Sequence, residues 1–268
     1  MRLEFVSLAR AGPVARVTLA RPALRNAFNE QVIAELHACA SSLAGDADIR
    51  VVVLGGEGTV FSAGADLGWM AAGLDASASQ IAADARSLHD MLVAVDRLPQ
   101  ATIARVQGAA IAGGGGLAAV CDIVVAAEDA VFGFSEARLG LVPAIVSPFV
   151  LQKIGVAAAR ELFLTGARFS AARARELGLA SVVVAPDALD ATVEAYIASL
   201  LAASASAVAA AKDLIRRVAG QSVDAAFEHT GAIIAALRTS ADGRAGVRAF
   251  LDKTDPPWLV RYDRVGLE

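Results

Sequence analysis

Short apolar segments alternate with amphipathic helical patterns along the first half of the chain, and this alternation restricts the fold more than any other feature. Residues 3–8 and 14–19 have alternating polarity on either side of Ala11-Gly12-Pro13, which predicts a hairpin. Apolar runs follow, each leading through a loop into helical spacing. These further predicted strands are residues 51–54, 101–106 and 123–126. Repeated strand–loop–helix units predict an α/β fold.

Helix starts are marked by capping residues. Asn29 precedes a segment with apolar residues at helical spacing, so it is the predicted cap of the first long helix. Ser77 and Gln80 have the spacing of a capping box. A further helix is predicted to open at Ser170 and to close at Gly178, because glycine commonly ends helices.

The second half of the chain has a different pattern. From about residue 147 the spacing is almost purely helical, apart from one predicted strand at residues 181–184. The alanine-rich residues 195–211 are interrupted by serines and predict two packed helices, not a membrane span. We therefore expect an α/β core over residues 1–190 and a helical C-terminal region over residues 191–268.

Composition excludes several functional classes. The net charge is −4 and the pI is near 5.5, which gives no general attraction to nucleic acid or to an anionic membrane. Cys39 and Cys121 are far apart and have no metal-binding spacing, so we expect them to be buried and reduced. The histidines also lack ligand spacing, and no metal site is predicted. Reduced cysteines fit the expected cytoplasmic location, and the first ten residues lack a signal peptide's hydrophobic region.

The first segment that can carry chemistry is Phe61-Ser62-Ala63-Gly64-Ala65-Asp66-Leu67. It follows a predicted buried strand and precedes a short predicted helix. Backbone N–H groups converge at such a turn and can bind an anion or a developing oxyanion. The structural alternative is an ordinary strand-to-helix loop in which Asp66 is the helix cap.

The second segment is Gly113-Gly114-Gly115-Gly116, again between a strand and a helix. Without Cβ atoms, its backbone can approach a ligand closely. Gly113, Gly115 and Ala118 also fit the pattern of a dinucleotide-binding turn, but the segment lies mid-chain and not after a first strand. Close packing of the helix on a neighbouring strand is the structural alternative.

The third segment, residues 132–138, places Glu136 after a strand and between Phe134 and Leu139. An apolar pocket raises the pKa of a carboxyl group and suits it to proton transfer. The structural alternative is a surface glutamate paired with Arg138.

Together these segments resemble the crotonase (enoyl-CoA hydratase/isomerase) superfamily. The motifs that carry the resemblance are FSAGADL, QGAAIAGGGG followed by CDIVVA, FGFSEARLGLVPA and FLTGARFSAARARELGLA, in an order that matches from Asn26 to Lys253. The resemblance implies a spiral of ββα units with a helical C-terminal trimerisation region, assembled as trimers or hexamers. It also implies that the substrate is an acyl-CoA thioester and that the reaction needs no metal or redox cofactor.

The resemblance also implies roles for individual residues. The N–H groups of Ala65 and Gly113 would hold the thioester oxygen, and Glu136 would be the acid/base. The implied substrate and CoA contacts are Arg25, Ala27, Ala63, Asp66, Leu67, Gly114 and Pro143. Trp69 is predicted either to line the acyl pocket or to anchor a short helix. Phe250 and Lys253 resemble a C-terminal signature that approaches the CoA of a neighbouring subunit.

One position departs from the family pattern. Typical enoyl-CoA hydratases have two glutamates, and Gly116 stands where the first is expected. A hydratase with Glu136 alone, an isomerase that moves a double bond with one base, and a non-catalytic acyl-CoA-binding relative all remain open. The chain looks most like bacterial methylglutaconyl-CoA hydratases, for which Arg138 would meet the second carboxylate. Related dehalogenases are excluded, because Ala144 and Glu136 replace their aspartate and tryptophan.

Overall fold

A computed structural model describes residues 3–260, which contain two β-sheets and their surrounding helices. The larger sheet has six strands in the order β1-β2-β3-β4-β6-β9. Its first two strands are antiparallel, and every later pairing is parallel. Its strands are β1 Val6–Ala11, β2 Val14–Leu19, β3 Val51–Gly56, β4 Ala101–Val106, β6 Ile123–Ala127 and β9 Val182–Val184. The predicted hairpin, the predicted strands and the α/β class are confirmed.

A second, three-stranded sheet lies beside the first. It consists of β5 Ala109–Ile111, β7 Val131–Gly133 and β8 Arg168–Ser170, with β7 in the middle. The expectation of only one strand after residue 147 was therefore wrong. A strand of three residues is too short to show an alternating pattern, and tertiary pairing with β7 defines β8.

The helices begin where their capping residues predict. The Asn29 side chain accepts the Val32 N–H at 3.0 Å, and the Ser77 hydroxyl accepts the Gln80 N–H at 3.2 Å. Ser170 likewise caps the helix that follows it. The α-helices are α1 Glu30–Ala44, α2 Leu67–Ala72, α3 Ala78–Asp96, α4 Gly113–Ala119, α5 Ser147–Thr165, α6 Ala171–Glu176, α7 Leu189–Leu201, α8 Ala205–Val218, α9 Val223–Thr239 and α10 Ala241–Asp252.

The core lies between the sheets and their covering helices. Under the smaller sheet it is aromatic: the rings of Phe132 and Phe169 stack at 5.9 Å, and those of Phe134 and Phe163 meet edge to face at 5.3 Å. Such pairs add stability beyond the burial of their apolar area. This cluster fixes the strand that leads to residue 136.

Both cysteines are buried in the core as free thiols, as predicted. Burial raises the pKa of the Cys39 thiol to about 11 and that of Cys121 to about 12. Both thiols therefore stay protonated at neutral pH, and neither is an activated nucleophile.

The C-terminal helices differ in how they pack. Helix α7 buries Leu189, Val193 and Ile197 against the larger sheet, whereas α8 and α9 bury no residue fully within this chain. The alanine-rich segment forms two helices, as predicted. Within residues 3–260 no single helix meets the length and hydropathy expected of a membrane span, although the bent pair 186–201 and 205–218 meets both together at an angle of 102°. The boundary at residue 190 stays a prediction.

Candidate active site

A cavity of about 640 Å³ lies where loops leave the strands of both sheets. Its walls include the loops that follow β2, β3, β5 and β7, together with Arg168 of β8. Ligand sites in α/β folds commonly lie beyond the carboxyl ends of the strands, where such loops converge. The cavity brings the three predicted chemical segments together.

The first donor loop, residues 62–69, points the Ala65 N–H away from the neighbouring Phe28 backbone. Ala65 forms an isolated parallel bridge with Phe28, in which Phe28 N–H donates to Gly64 O at 2.7 Å and Asp66 N–H donates to Phe28 O at 2.8 Å. In a parallel bridge the flanking residues make the bonds, so the N–H of the middle residue faces the other way. Ala65 lines the cavity, and its N–H meets no acceptor in residues 3–260.

Polar side chains hold this loop in place. Arg21 forms an ion pair with Asp66 at 3.0 Å and donates to Ala27 O at 2.7 Å. The other Asp66 oxygen caps α2, accepting from the N–H groups of Gly68 and Trp69. The Trp69 N–H bond and then the Arg21 guanidinium lower the pKa of Asp66 against the effect of burial. Asp66 is therefore an anionic helix cap as well as a cavity residue, which makes it poorly suited to proton transfer.

The second donor loop, residues 111–116, is held by its backbone. Ala112 has φ 50° and ψ −117°, a conformation that a residue with a Cβ rarely adopts, and its N–H donates to Gly133 O at 2.7 Å. This strained residue orients the following peptide, whose Gly113 N–H borders the cavity. No acceptor for that N–H occurs in the part of the chain that the structure describes.

The two donor loops are in direct contact. A Cβ at Gly64 would lie 2.7 Å from Ile111 O, and a Cβ at Gly114 would lie 2.7 Å from Ser62 O. Ile111 N–H donates to Ser62 O at 3.0 Å. Both glycines are thus required for close backbone approach. Gly114, predicted as a substrate contact, packs against Ser62 and does not line the cavity.

Glu136 opens a 3₁₀ turn, Glu136–Leu139, directly after β7. Burial raises the pKa of its carboxyl group, although a backbone N–H opposes the shift. Its Oε2 is buried and has no hydrogen-bond partner in the described chain. The cavity walls near it in sequence are the apolar side chains of Leu139, Leu141 and Val142. A carboxyl group whose pKa is raised by such surroundings is suited to proton transfer.

The position of the missing glutamate is occupied by another side chain. Gly116 is buried in α4, and a Cβ placed there would lie 2.6 Å from the Cβ of Val146, which is itself 3% exposed. Val146 also lines the cavity. A glutamate at position 116 therefore has no space in this arrangement.

Most of the other predicted contacts also line the cavity. These residues are Arg25, Ala27, Ala63, Asp66, Leu67, Trp69 and Pro143. Arg138 does not: its Nε donates to Thr165 O at 3.5 Å outside the cavity. Phe250 and Lys253 lie on the C-terminal helices away from it, with Phe250 83% exposed, so their predicted contact across subunits stays a prediction.

Sequence reasoning missed several cavity residues, among them Ile111, Val146 and Arg168. Ile111 and Val146 have no polar group that would distinguish them from core residues. Arg168 lies in the motif FLTGARFS, where alternation with the apolar Phe169 was the available signal. That signal covers only three residues and was too short to use.

Comparison with known proteins places the chain in a family. A family model described as enoyl-CoA hydratase/isomerase matches residues 9–261. A probable enoyl-CoA hydratase of Mycobacterium bovis is 35% identical over 262 residues, covering 97% of this chain and 100% of that protein. A probable enoyl-CoA hydratase of Rhizobium meliloti is 35% identical over 261 residues, covering 94% and 97%.

Solved structures have the same fold. The crystal structure of an enoyl-CoA hydratase from Shewanella pealeana superposes with a TM-score of 0.92 at 36% identity, covering 96% of this chain and 97% of that one. An enoyl-CoA hydratase from Mycobacterium smegmatis gives 0.91 at 35% identity, covering 96% and 100%. The predicted crotonase-like fold is thereby confirmed. The chain belongs to the enoyl-CoA hydratase/isomerase family of enzymes.

Proposed function

We propose that this enzyme adds water across the double bond of a 2-enoyl-CoA thioester, with Glu136 as the acid/base. The observation that supports this most strongly is the buried Glu136 Oε2, without a hydrogen-bond partner in the described chain, in a cavity that also receives two unpaired N–H groups, from Ala65 and Gly113. The names of the related proteins, enoyl-CoA hydratases, support the same reaction.

In this mechanism the thioester oxygen lies between the Ala65 and Gly113 N–H groups. The Glu136 carboxylate takes a proton from water while the water oxygen adds to C3. The electron pair of the double bond moves through C2 onto the thioester oxygen, where the two N–H groups stabilise the charge. Glu136 then returns the proton to C2. Each preorganised donor of this kind typically contributes about 10² to 10³ in rate.

Isomerisation of a 3-enoyl-CoA to a 2-enoyl-CoA is the second candidate. The packing of Val146 against Gly116 favours it, because position 116 then offers no second acid/base group and Asp66 is held as a paired helix cap, which leaves Glu136 for a reaction that needs one base. Glu136 would remove a proton from C2, and the double bond would shift as the same proton is delivered to C4. The same two N–H groups would stabilise the enolate between these steps.

Assembly as a homotrimer or a hexamer forms part of the proposal. Its support is the apolar surface left on the C-terminal helices, where Ile215, Phe227, Ile234 and Phe250 are exposed. A surface of this kind on a single chain commonly marks a protein–protein interface. The mass in solution, measured by light scattering, would be three or six times that of the chain. A monomer at micromolar concentration would contradict the proposal.

The reaction is tested with purified enzyme on crotonyl-CoA, 3-methylglutaconyl-CoA and a 3-enoyl-CoA, followed by the absorbance of the enoyl thioester. Loss of absorbance with either 2-enoyl substrate supports hydration. A gain with the 3-enoyl substrate alone supports isomerisation. No change with any substrate, despite measurable binding of a CoA ester, would contradict both and favour a non-catalytic relative.

A further inference from the structure

Arg168 faces the cavity from the edge of the smaller sheet. In the strand register, Arg168 on β8 is opposite Gly133 on β7, and Gly133 is opposite Ile111 on β5. Residues directly opposite each other in a sheet project to the same face, and the next residue projects to the other. Phe169 accordingly enters the aromatic core, whereas Arg168 and Ile111 both line the cavity.

Gly133, which lies between Ile111 and Arg168 in the sheet, leaves space for the Arg168 side chain. A Cβ at Gly133 would lie 3.3 Å from the Cγ of Arg168 and 3.6 Å from the Cδ1 of Ile111. The Arg168 stem thus lies over Gly133, close to Ile111. Glu136 lies three residues beyond the end of β7, and Gly113 lies two residues beyond the end of β5. Arg168 is therefore held on the part of the fold that carries the predicted base and the second oxyanion donor.

The charge of Arg168 is not balanced within the described chain. The charged residues that line the cavity are Arg25, Asp66, Glu136 and Arg168. Asp66 is already paired with Arg21, and Glu136 forms no ion pair with Arg168 within 4.0 Å. Arg168 makes no hydrogen bond or ion pair with residues 3–260, unlike Arg138, which binds Thr165 O.

We propose that Arg168 is a specificity-determining residue that binds a carboxylate at the far end of the acyl chain. The substrate class is then a 2-enoyl-CoA that carries a second carboxylate, and this inference rests on the proposed function. A guanidinium without a partner matches a carboxylate through two parallel hydrogen bonds. The phosphates of CoA are separated from the thioester by the long pantetheine arm, so an anion held by the guanidinium over Gly133, three residues from Glu136, is assigned to the acyl chain.

The test for binding uses two saturated, unreactive esters, glutaryl-CoA and butyryl-CoA, which have and lack the second carboxylate. We expect the wild-type protein to bind glutaryl-CoA more tightly. Arg168→Met keeps a similar stem without the charge and should weaken glutaryl-CoA binding roughly 10- to 100-fold, the range for a hydrogen bond to a charged group. Binding of butyryl-CoA should change less than about threefold. Arg160→Met, an exposed arginine of α5, is the matched control and should leave both affinities unchanged.

The second arm measures kcat/KM on glutaconyl-CoA and crotonyl-CoA. Arg168→Met should raise KM for glutaconyl-CoA alone, and Arg168→Lys should restore part of the difference. Equal losses for both esters would indicate a phosphate contact and would overturn the proposal, as would loss of discrimination in Arg138→Met alone. Discrimination in binding without turnover of either substrate would refute the proposed reaction while leaving the Arg168 assignment intact.

Discussion

The two donor loops deliver similar N–H groups to one cavity, but different forces hold them. The first loop, around Ala65, depends on side chains: Arg21 pairs with Asp66, and Asp66 caps α2. The second loop, around Gly113, depends on backbone strain at Ala112 and on glycines packed against neighbours. Polar contacts at a cavity edge can be lost with a graded cost, whereas a close-packed backbone tolerates no added atom. Apart from Gly64, where an added Cβ would meet Ile111 O, substitutions in the first loop should therefore have smaller effects than those in the second.

The largest expected effect is that of Gly116→Glu in the second loop. The new side chain would collide with Val146 and place a carboxyl group in a buried helix, which we expect to cost about 4 kcal/mol or more of folding stability. Soluble yield and thermal melting would show the loss. The double variant Gly116→Glu with Val146→Gly provides space and should recover part of it. If Gly116→Glu alone melts at the wild-type temperature, the second loop is not the less tolerant of the two.

In the first loop, Arg21→Met should have an intermediate effect. The Arg21 and Asp66 side chains are only 10% and 14% exposed. The substitution removes both their ion pair and the donor to Ala27 O, which together should cost about 2 kcal/mol of folding stability. We expect a folded protein whose kcat falls roughly tenfold, because the Ala65 N–H is less firmly placed.

The matched comparison is Asp66→Asn, which keeps an oxygen to cap α2 but weakens the ion pair. Its loss of activity should be smaller, and adding Arg21→Met to it should cost less than in the wild type. Full additivity of the two substitutions in kcat would show that the pair does not act as a unit.

A smaller effect, of opposite sign, is expected for Ala112→Gly. Glycine adopts positive φ without a Cβ penalty, so relief of strain should stabilise the protein by about 1 kcal/mol. Thermal melting should rise by a few degrees. Ala109→Gly, in a β5 residue of ordinary φ, is the control and should lower the melting temperature. Destabilisation by both substitutions to the same extent would argue against strain at Ala112.

The smallest stability change concerns Glu136, and it depends on pH. Because burial raises its pKa in the folded state, the folded protein holds this proton more tightly than the unfolded chain does. Stability is therefore lost as pH rises from the ordinary carboxyl pKa through the raised one. Glu136→Gln should melt above the wild type at pH 8 and close to it at pH 4. A lower melting temperature at pH 8 would show that the folded state prefers the ionised carboxylate.

The sequence predicted those parts of the fold that depend on local signals. Asn29 and Ser77 cap the helices they were expected to cap, and the strands of the larger sheet match their apolar runs. The smaller sheet was only partly predicted, because the strand at Arg168 has three residues and exists through its pairing with β7.

The site shows the same division between local and tertiary information. Ala65, Gly113 and Glu136 belong to local motifs, and the structure brings all three to one cavity. The side chain that fills the space beside Gly116 could not be identified, since Val146 lies thirty positions away and reaches it only through folding. For the same reason the sequence favoured Arg138, next to Glu136, over Arg168, which reaches the cavity through strand register.

The central claim is that the Glu136 carboxyl transfers the proton in a cavity that binds the CoA ester by other groups. The most direct measurement compares Glu136→Gln with the wild type in two assays, hydration of the better 2-enoyl-CoA substrate and binding of its saturated analogue. We predict that kcat falls by about 10³-fold or more while the dissociation constant changes less than about threefold, since general acid–base catalysis contributes roughly 10² to 10⁴. A variant that keeps most of its activity, or that loses activity only in proportion to lost binding, would contradict the account.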